Sequence, residues 1–132
     1  GSCTEEEKMY KETVKIFQNN DIQVLATTLR VPTFFSHFES ITLSCSKPLK
    51  MPEVRSLIMN DPYLKLMEDP SGNLYPTPLS STGTDLVEVG RLRISQFDPH
   101  ELSMVISADN LRIGAATNAV RILAKISQEG YL

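Results

Sequence analysis

The chain has 132 residues, of which 41% are hydrophobic and 22% charged, with a formal net charge of -3 and a sequence pI of about 5.4. This length is sufficient for one domain with a hydrophobic core, and the composition is typical of a globular protein. The net acidic charge argues against nucleic acid or an anionic membrane surface as the main partner, because both attract basic patches. The apolar stretches are too short to span a bilayer, and no signal peptide is expected.

The two cysteines, Cys3 and Cys45, form neither a Cys-x-x-Cys pair nor a cluster with zinc-ligand spacing. We therefore predict no metal site and no disulfide. Two free thiols are typical of a reducing compartment, so a cytoplasmic location is expected. Cys45 lies in an alternating segment and is expected to be a buried small hydrophobe.

The first predicted element is an amphipathic helix over residues 5–17. Thr4 is its predicted N-cap, and Glu7 completes a capping box. Residues 22–31 are apolar on both faces and predict a strand that is covered on both sides, ended by Pro32.

The remaining predicted elements alternate between strands and helices. They are a strand over 40–46, a helix over 52–60, a short strand over 63–67, a turn over 69–73, a loop over 75–84, strands over 86–94 and 102–107, and a closing helix from 114 to 126–128. This order predicts an α+β fold in which helices pack on a mixed, largely antiparallel sheet. We expect a single domain over residues 1–132.

Arg30 and His37 stand seven residues apart at the end of the predicted apolar strand. Arg30 can clamp a carboxylate with two parallel hydrogen bonds, or it bridges to a surface acid. His37 follows two phenylalanines and can serve as a general acid or base in a partly apolar cleft, or it is a turn histidine with a satisfied ring. For each residue viewed alone, the structural interpretation is the simpler one.

Two further groups have a functional and a structural interpretation. Glu5 and Lys8 share a helix face, where they can recognise an amino group and an anion or form an ordinary surface salt bridge. Residues 109–116 join the last strand to the last helix, and the free N–H groups of a helix start can bind an anion; the alternative is a tight turn. His100 is predicted to be a surface loop residue. No nucleophile is supported, since neither cysteine has an activating context.

Four ordered segments resemble motifs of one family, aspartate-semialdehyde dehydrogenase. Residues 24–37 are similar to its histidine signature, including the separation of seven between the arginine and the histidine. Residues 5–8 resemble its Glu-Glu-x-Lys helix. Residues 75–93 are similar to its next motif and residues 108–119 to its closing motif, so the resemblance covers nearly the whole chain.

The resemblance implies a fold like the C-terminal domain of glyceraldehyde-3-phosphate dehydrogenase. It implies an enzyme that reduces L-aspartyl 4-phosphate to L-aspartate 4-semialdehyde through a cysteine thioester, with NADPH as reductant and release of phosphate. His37 would be the acid/base partner of the cysteine, and Arg30 would clamp the substrate carboxylate. Glu5 would contact the substrate amino group, Lys8 would help to hold the phosphate, and Asn110 would lie near the nicotinamide of NADP.

The resemblance also implies that this chain is the C-terminal part of the enzyme, without the nucleophilic cysteine and the dinucleotide-binding domain, and inactive alone. The closing helix would pack toward that missing domain. A homodimer is expected, in an enzyme of lysine, threonine and methionine biosynthesis. Two alternatives stay open: a non-catalytic dimerisation or binding module of the same fold, and an enzyme resembling N-acetyl-glutamyl-phosphate reductase.

Overall fold

A computed structural model describes residues 1–131 of the chain. The chain divides into two compact units, a smaller one, Gly1–Pro32, and a larger one that begins at Thr33. The expectation of one domain over the whole chain stays a prediction. Among the described residues, no helix combines the length and the apolar character needed to cross a membrane.

The smaller unit begins with helix α1, Thr4–Phe17, which confirms the predicted amphipathic helix. The N-cap is Cys3 and not Thr4, because the helix starts one residue earlier than expected. The backbone N–H of Cys3 donates to Oε2 of Glu6 at 2.9 Å, so Glu6 takes the capping role that the sequence assigned to Glu7.

Residues 22–31 are irregular, so the predicted strand is wrong. The side chains still alternate in exposure, since Ile22, Val24 and Ala26 are half-buried and Leu25 is fully exposed. A strand needs a neighbour that accepts and donates its backbone hydrogen bonds, and an alternating apolar pattern does not supply that neighbour.

The carboxylate of Glu6 ties the start of α1 to the irregular segment. Its Oε1 accepts the N–H of Thr28 at 2.9 Å, while Oε2 accepts the N–H of Cys3. Oγ1 of Thr28 also lies 3.4 Å from Sγ of Cys3. The backbone N–H groups, first that of Cys3 and then that of Thr28, lower the pKa of Glu6. The segment that leads to Arg30 is therefore anchored to α1 by one ionised side chain.

The larger unit is built on a four-stranded sheet in the order β1-β4-β3-β2. The strands are β1 His37–Ser44, β2 Leu64–Leu66, β3 Val87–Ile94 and β4 Glu101–Ala108. β4 is antiparallel to both β1 and β3, whereas β2 is parallel to β3. The predicted α+β fold with a mixed, largely antiparallel sheet is confirmed.

Strand β1 differs from its prediction at both ends. It begins at His37, three residues before the predicted start, and it ends at Ser44. Cys45 thus lies just outside the strand and is half-buried, not fully buried as expected, and both cysteines are free thiols.

Helix α2, Met51–Asn60, covers one face of the sheet, with Pro52 in its first turn as predicted. Ile58 packs with Val89 and Leu92 in the buried core. The half-buried hydrophobic residues around this core are Met51, Val54, Leu64, Leu66, Val87, Met104 and Ile106. A helix this short is unstable in isolation, so this packing is what stabilises it.

The pairing of β3 with β4 shifts register between Gly90 and Arg93, just after the residues of β3 that pair with β2. A Cβ atom added to Gly90 would lie 2.2 Å from the carbonyl oxygen of Met67 and 2.6 Å from Cδ of Pro76. Only glycine permits this approach of the two backbones.

The predicted loop over 75–84 contains a short helix that the sequence analysis missed, α3, Pro78–Ser81. Oγ1 of Thr77 caps it by accepting the N–H of Ser80 at 3.0 Å. The closing helical segment begins before the predicted Gly114, with a π-helical turn, Arg112–Ala116, that leads into helix α4, Thr117–Gln128.

Candidate active site

The site residues predicted from the sequence fall into both units. Glu5, Lys8 and Arg30 lie in the smaller unit, and His37 and Asn110 lie in the larger one. The hydrogen bonds and ion pairs of each group are those within its own unit.

His37 and Asn110 are joined through the backbone of Ser36. Oδ1 of Asn110 accepts a hydrogen bond from the N–H of Ser36 at 2.8 Å, across 74 positions of sequence. Ser36 has a φ of 72°, a left-handed conformation that costs energy in a residue with a side chain and persists where its surroundings fix it. The residue predicted for proton transfer and the residue predicted for the cofactor thus meet at one corner of the sheet.

The backbone of His37 is also held from β4. His37 pairs with Ala108, and its carbonyl oxygen accepts a hydrogen bond from Oγ of Ser107 at 2.9 Å. That hydroxyl lies 2.8 Å from Oγ of Ser81, and both serines are almost fully buried. The imidazole is exposed and has no hydrogen-bond partner among the described residues of the larger unit. A fixed backbone thus carries an exposed ring.

The two phenylalanines before His37 are exposed in the larger unit. Phe34 is 97% exposed and Phe35 is 49% exposed. The expectation of a partly apolar cleft around His37 stays a prediction. Strand pairing and hydrogen bonds to the backbone fix the position of His37 on the sheet.

Asp109 is the buried acid that shapes the same corner, with 4% of its surface exposed. Its Oδ2 accepts the N–H of Gly83 at 2.8 Å, and its Oδ1 accepts those of Leu111 and Arg112 at 2.9 and 3.3 Å. These backbone hydrogen bonds, first the one from Gly83, lower the pKa of the Asp109 carboxyl. The ionised carboxylate fixes the turn that presents Asn110.

The start of the closing helical segment has no free N–H groups to offer an anion. The N–H groups of Ile113 and Gly114 donate to the carbonyl oxygen of Asp109 at 2.9 and 3.5 Å, and the two N–H groups before them serve its carboxylate. The interpretation of residues 109–116 as an anion site is therefore wrong, and the tight-turn interpretation is confirmed.

An ion pair anchors the closing segment to the end of the preceding loop. Arg112 donates from Nε and Nη2 to the two carboxylate oxygens of Asp85 at 2.8 and 2.7 Å, and Oγ1 of Thr117 donates to Oδ1 at 3.0 Å. Arg121 donates to the carbonyl oxygen of Asp85 and lies 4.5 Å over the ring of Tyr63. The hydrogen bond from Arg112 is the main cause that lowers the pKa of Asp85.

Sequence reasoning assigned no role to Ser36, Ser81, Thr82, Ser107 or Asp109. Oγ of Ser36 lies 3.0 Å from Oγ1 of Thr82, which completes the set of hydroxyl contacts around His37. For two of these residues the sequence held a signal. Ser107 lies at the end of the predicted strand over 102–107, and Asp109 comes before a helix start, where a capping carboxylate is favoured. The hydroxyl pairs had no sequence signal, because their members lie 46 and 26 positions apart.

In the smaller unit, Nζ of Lys8 donates to Oε2 of Glu5 at 3.3 Å. Both side chains are more than half exposed, as expected for a surface salt bridge. Arg30 is exposed, and within Gly1–Pro32 its guanidinium has no ion-pair partner, so this unit shows no surface acid bound to it.

His100 lies in the loop between β3 and β4, as predicted, with Nδ1 2.8 Å from Oδ1 of Asp98. In the part of the chain that the structure describes, no three histidine, cysteine, aspartate or glutamate side chains are grouped to hold a metal ion. Within the larger unit, His37 and Asn110 stay the predicted residues for the chemistry.

Comparison with known proteins identifies one group of relatives. A family model described as semialdehyde dehydrogenase, dimerisation domain, matches residues 1–113. The aspartate-semialdehyde dehydrogenase of Aquifex aeolicus is 41% identical over 132 residues, which cover 100% of this chain and 39% of that protein. The aspartate-semialdehyde dehydrogenase of Helicobacter pylori strain 26695 is 45% identical over 122 residues, which cover 92% of this chain and 35% of that protein. The chain thus spans less than two fifths of the length of these relatives.

Solved structures support the same relationship. A crystal structure of aspartate semialdehyde dehydrogenase II from Vibrio cholerae, complexed with ASA, superimposes with a TM-score of 0.91 and 33% sequence identity. The match covers 98% of this chain and 38% of that one. The predicted fold, that of the C-terminal domain of such dehydrogenases, is confirmed.

Proposed function

Because this chain belongs to the aspartate-semialdehyde dehydrogenase family, we propose that it is the C-terminal part of an NADP-dependent enzyme that reduces L-aspartyl 4-phosphate to L-aspartate 4-semialdehyde. The observation that carries the proposal is the hydrogen bond from Ser36 to Asn110, which joins the proton carrier to the cofactor contact. The nucleophilic cysteine and the dinucleotide-binding domain come from the rest of a longer protein, so this chain alone is inactive. The relatives' names favour this enzyme over one resembling N-acetyl-glutamyl-phosphate reductase.

His37 serves the proton steps of the reaction. A cysteine thiolate displaces phosphate from the acyl phosphate and forms a thioester, and His37 takes the thiol proton and returns it when the thiol leaves. The ring is suited to this role because its backbone is fixed on both sides while the imidazole is exposed. An imidazole exchanges protons near neutral pH, where such an enzyme works.

Asn110 holds the nicotinamide end of NADPH, which supplies the hydride when it is bound. The residue fits this cofactor because Oδ1 is occupied by the N–H of Ser36, which leaves the amide N–H groups as donors. The carboxamide oxygen of a nicotinamide is the matching acceptor. The hydrogen bond from Ser36 holds the amide in this orientation.

The smaller unit supplies the charges that recognise the substrate. Arg30 clamps its carboxylate, Glu5 contacts its amino group and Lys8 helps to hold the phosphate. Each substrate charge thus meets an opposite charge. The Glu5–Lys8 pair is exposed and such pairs contribute about 0–1 kcal/mol, so the substrate can replace it at small cost.

The exposed apolar side of α4 packs against the dinucleotide-binding domain of the full enzyme. Val120, Leu123 and Ile126 recur at helical spacing and are 66%, 57% and 37% exposed. An exposed apolar stripe of this kind on a helix is typical of a face that is covered by another domain. Residues 1–132 then form part of one catalytic and dimerisation domain.

The assembled enzyme is a homodimer, as the description of the matching family model suggests. It acts in the cytoplasm in lysine, threonine and methionine biosynthesis. The partner of the site is a small acidic metabolite, which the local charges of Arg30 and Lys8 attract. The net charge of -3 argues against nucleic acid as a partner.

The proposal is tested by the variant His37→Gln in the full-length protein that contains this chain. The measurement is phosphate-dependent formation of NADPH from aspartate semialdehyde, the reverse of the biosynthetic reaction. We expect kcat to fall by about 10²–10⁴-fold, the usual contribution of a general acid or base. The matched control is His100→Gln, because His100 is bound to Asp98 in a loop away from the proposed chemistry.

Equal activity of the two histidine variants would refute the role of His37. Absence of turnover in the unmodified full-length protein, with substrate and cofactor present, would refute the dehydrogenase assignment and favour a non-catalytic module of the same fold.

A further inference from the structure

We infer that Glu88 is a positioning residue, which holds the loop over residues 77–83 in place through Ser80 and thereby fixes His37. The inference rests on the proposed function, because it concerns the same site. It assigns a role at the site to a buried charge that the proposed chemistry does not otherwise use.

Glu88 is fully buried in β3, yet both of its carboxylate oxygens have partners. Nζ of Lys65 donates to Oε1 at 3.2 Å, and Oγ of Ser80 donates to Oε2 at 2.5 Å. A buried carboxylate is unfavourable unless it is paired and hydrogen-bonded, so its presence calls for a specific contact. The ammonium of Lys65 compensates the charge, and the short hydrogen bond from Ser80 ties the carboxylate to the loop.

The position of Glu88 on the sheet separates it from the apolar core. Its neighbour Val89 packs with Ile58 in that core, and successive side chains of a strand point to opposite faces. Glu88 pairs in register with Ser107 of β4, whose hydroxyl donates to the carbonyl oxygen of His37. The buried charge therefore lies beside the support of His37 and away from α2.

The residues that follow Ser80 carry this anchorage to the site. Ser81 contacts Ser107, whose hydroxyl holds the carbonyl of His37. Thr82 contacts Ser36 in the turn before His37. Gly83 donates to Asp109, which holds the turn that presents Asn110. A displacement of Ser80 would thus move every hydrogen bond that this loop makes at the corner.

The test uses Ser80→Ala, which removes the hydrogen bond to Glu88 and keeps the Glu88–Lys65 pair. The same hydroxyl also accepts the N–H of Thr77, so the second variant is Glu88→Met, which leaves that capping contact in place. An unchanged His37 signal in Glu88→Met would overturn the role of Glu88. The control is Ile58→Val, which weakens the core on the α2 face and leaves the loop unchanged. The 132-residue chain has two histidines, so labelled imidazoles give two ring signals in an NMR spectrum, and His100→Gln assigns them. The second readout is kcat and KM of the full-length enzyme.

We expect Ser80→Ala to shift or broaden the His37 ring signal while the His100 signal stays in place. We expect kcat to fall about ten-fold with KM nearly unchanged, since a misplacement of about 1 Å can cost up to a hundred-fold. Ile58→Val should lower thermal stability without either effect. Unchanged His37 signals in Ser80→Ala would overturn the inference, and so would equal changes in Ile58→Val.

The two proposals fail in different ways. A moved His37 signal with unchanged turnover would overturn the positioning role in catalysis. An inactive unmodified enzyme would overturn the dehydrogenase assignment, whereas the His37 signal in Ser80→Ala would still decide whether Ser80 positions the histidine.

Discussion

Replacement of Gly90 by alanine is expected to disrupt the contact between β2 and β3. The added Cβ would lie 2.2 Å from the carbonyl oxygen of Met67, and this neighbour is backbone that cannot rotate away. Ordinary contact begins at 3.4 Å, so the two backbones would have to separate by about 1.2 Å.

The cost of this separation follows from the adjacent hydrogen bond. The N–H of Met67 donates to the carbonyl oxygen of Val89 at 2.8 Å, and a shift of that size would break it. Overpacking costs about 1–3 kcal/mol and a lost hydrogen bond about 1 kcal/mol, so we expect a loss of about 2–4 kcal/mol in the free energy of unfolding. For a chain of this size that corresponds to a melting temperature lower by roughly 10 °C.

The assay is thermal unfolding followed by circular dichroism, with Gly114→Ala as the matched control. A Cβ on Gly114 would meet only Cβ of Asn110 at 3.7 Å, an ordinary contact. Alanine favours the helix over glycine by about 0.8–1 kcal/mol, so the control should be neutral or slightly stabilising. A melting temperature of Gly90→Ala within about 2 °C of the unmodified chain would refute the reasoning from the close approach.

Two further predictions concern burial and charge. Ile58→Ala should lower the free energy of unfolding in urea by about 2–5 kcal/mol, because Ile58 is buried in the core. The control Leu57→Ala, at a 75% exposed position, should change it by less than about 0.5 kcal/mol. Similar losses in the two variants would contradict the assigned core. The folded-state pKa of Asp109 is lowered by hydrogen bonds to its carboxylate, so its stabilising effect is present above its ordinary pKa and is lost as pH falls through the folded value. Asp109→Asn should therefore be less stable than the unmodified chain at pH 7, with a gap that narrows toward pH 3; a gap of equal size at both pH values would show that the ionised carboxylate is not the stabilising group.

The elements that could be predicted are those in which local pattern and tertiary environment agree. Helix α1 carries its own polar and apolar faces, and α2 has proline in its first turn, so both were found within about one residue of their observed start. Strands β3 and β4 are bounded by polar turns and were found within one residue at each end. Residues 22–31 had an equally strong apolar pattern, but a strand also requires a hydrogen-bonding neighbour, and no pattern within the segment specifies one.

The candidate site shows the same division. Arg30 and His37 were recognised by their residue types and spacing, and Asn110 by the motif around it. Their assigned chemical roles stay predictions. The supports of the site were not visible in the sequence, because Ser36 and Asn110 meet only when β1 and β4 pair.

The sequence by itself determined the family, the α+β class and the identity of the candidate site residues, because residue types, periodicity and motif spacing are local properties of the chain. Only the tertiary structure decided which groups hold those residues in place. It brought the hydroxyls of Ser81 and Ser107 together beneath the carbonyl of His37, and it buried the charge of Glu88 against Ser80. Hydrogen bonds between distant segments depend on how strands pair and loops fold back, and a linear pattern does not contain that information.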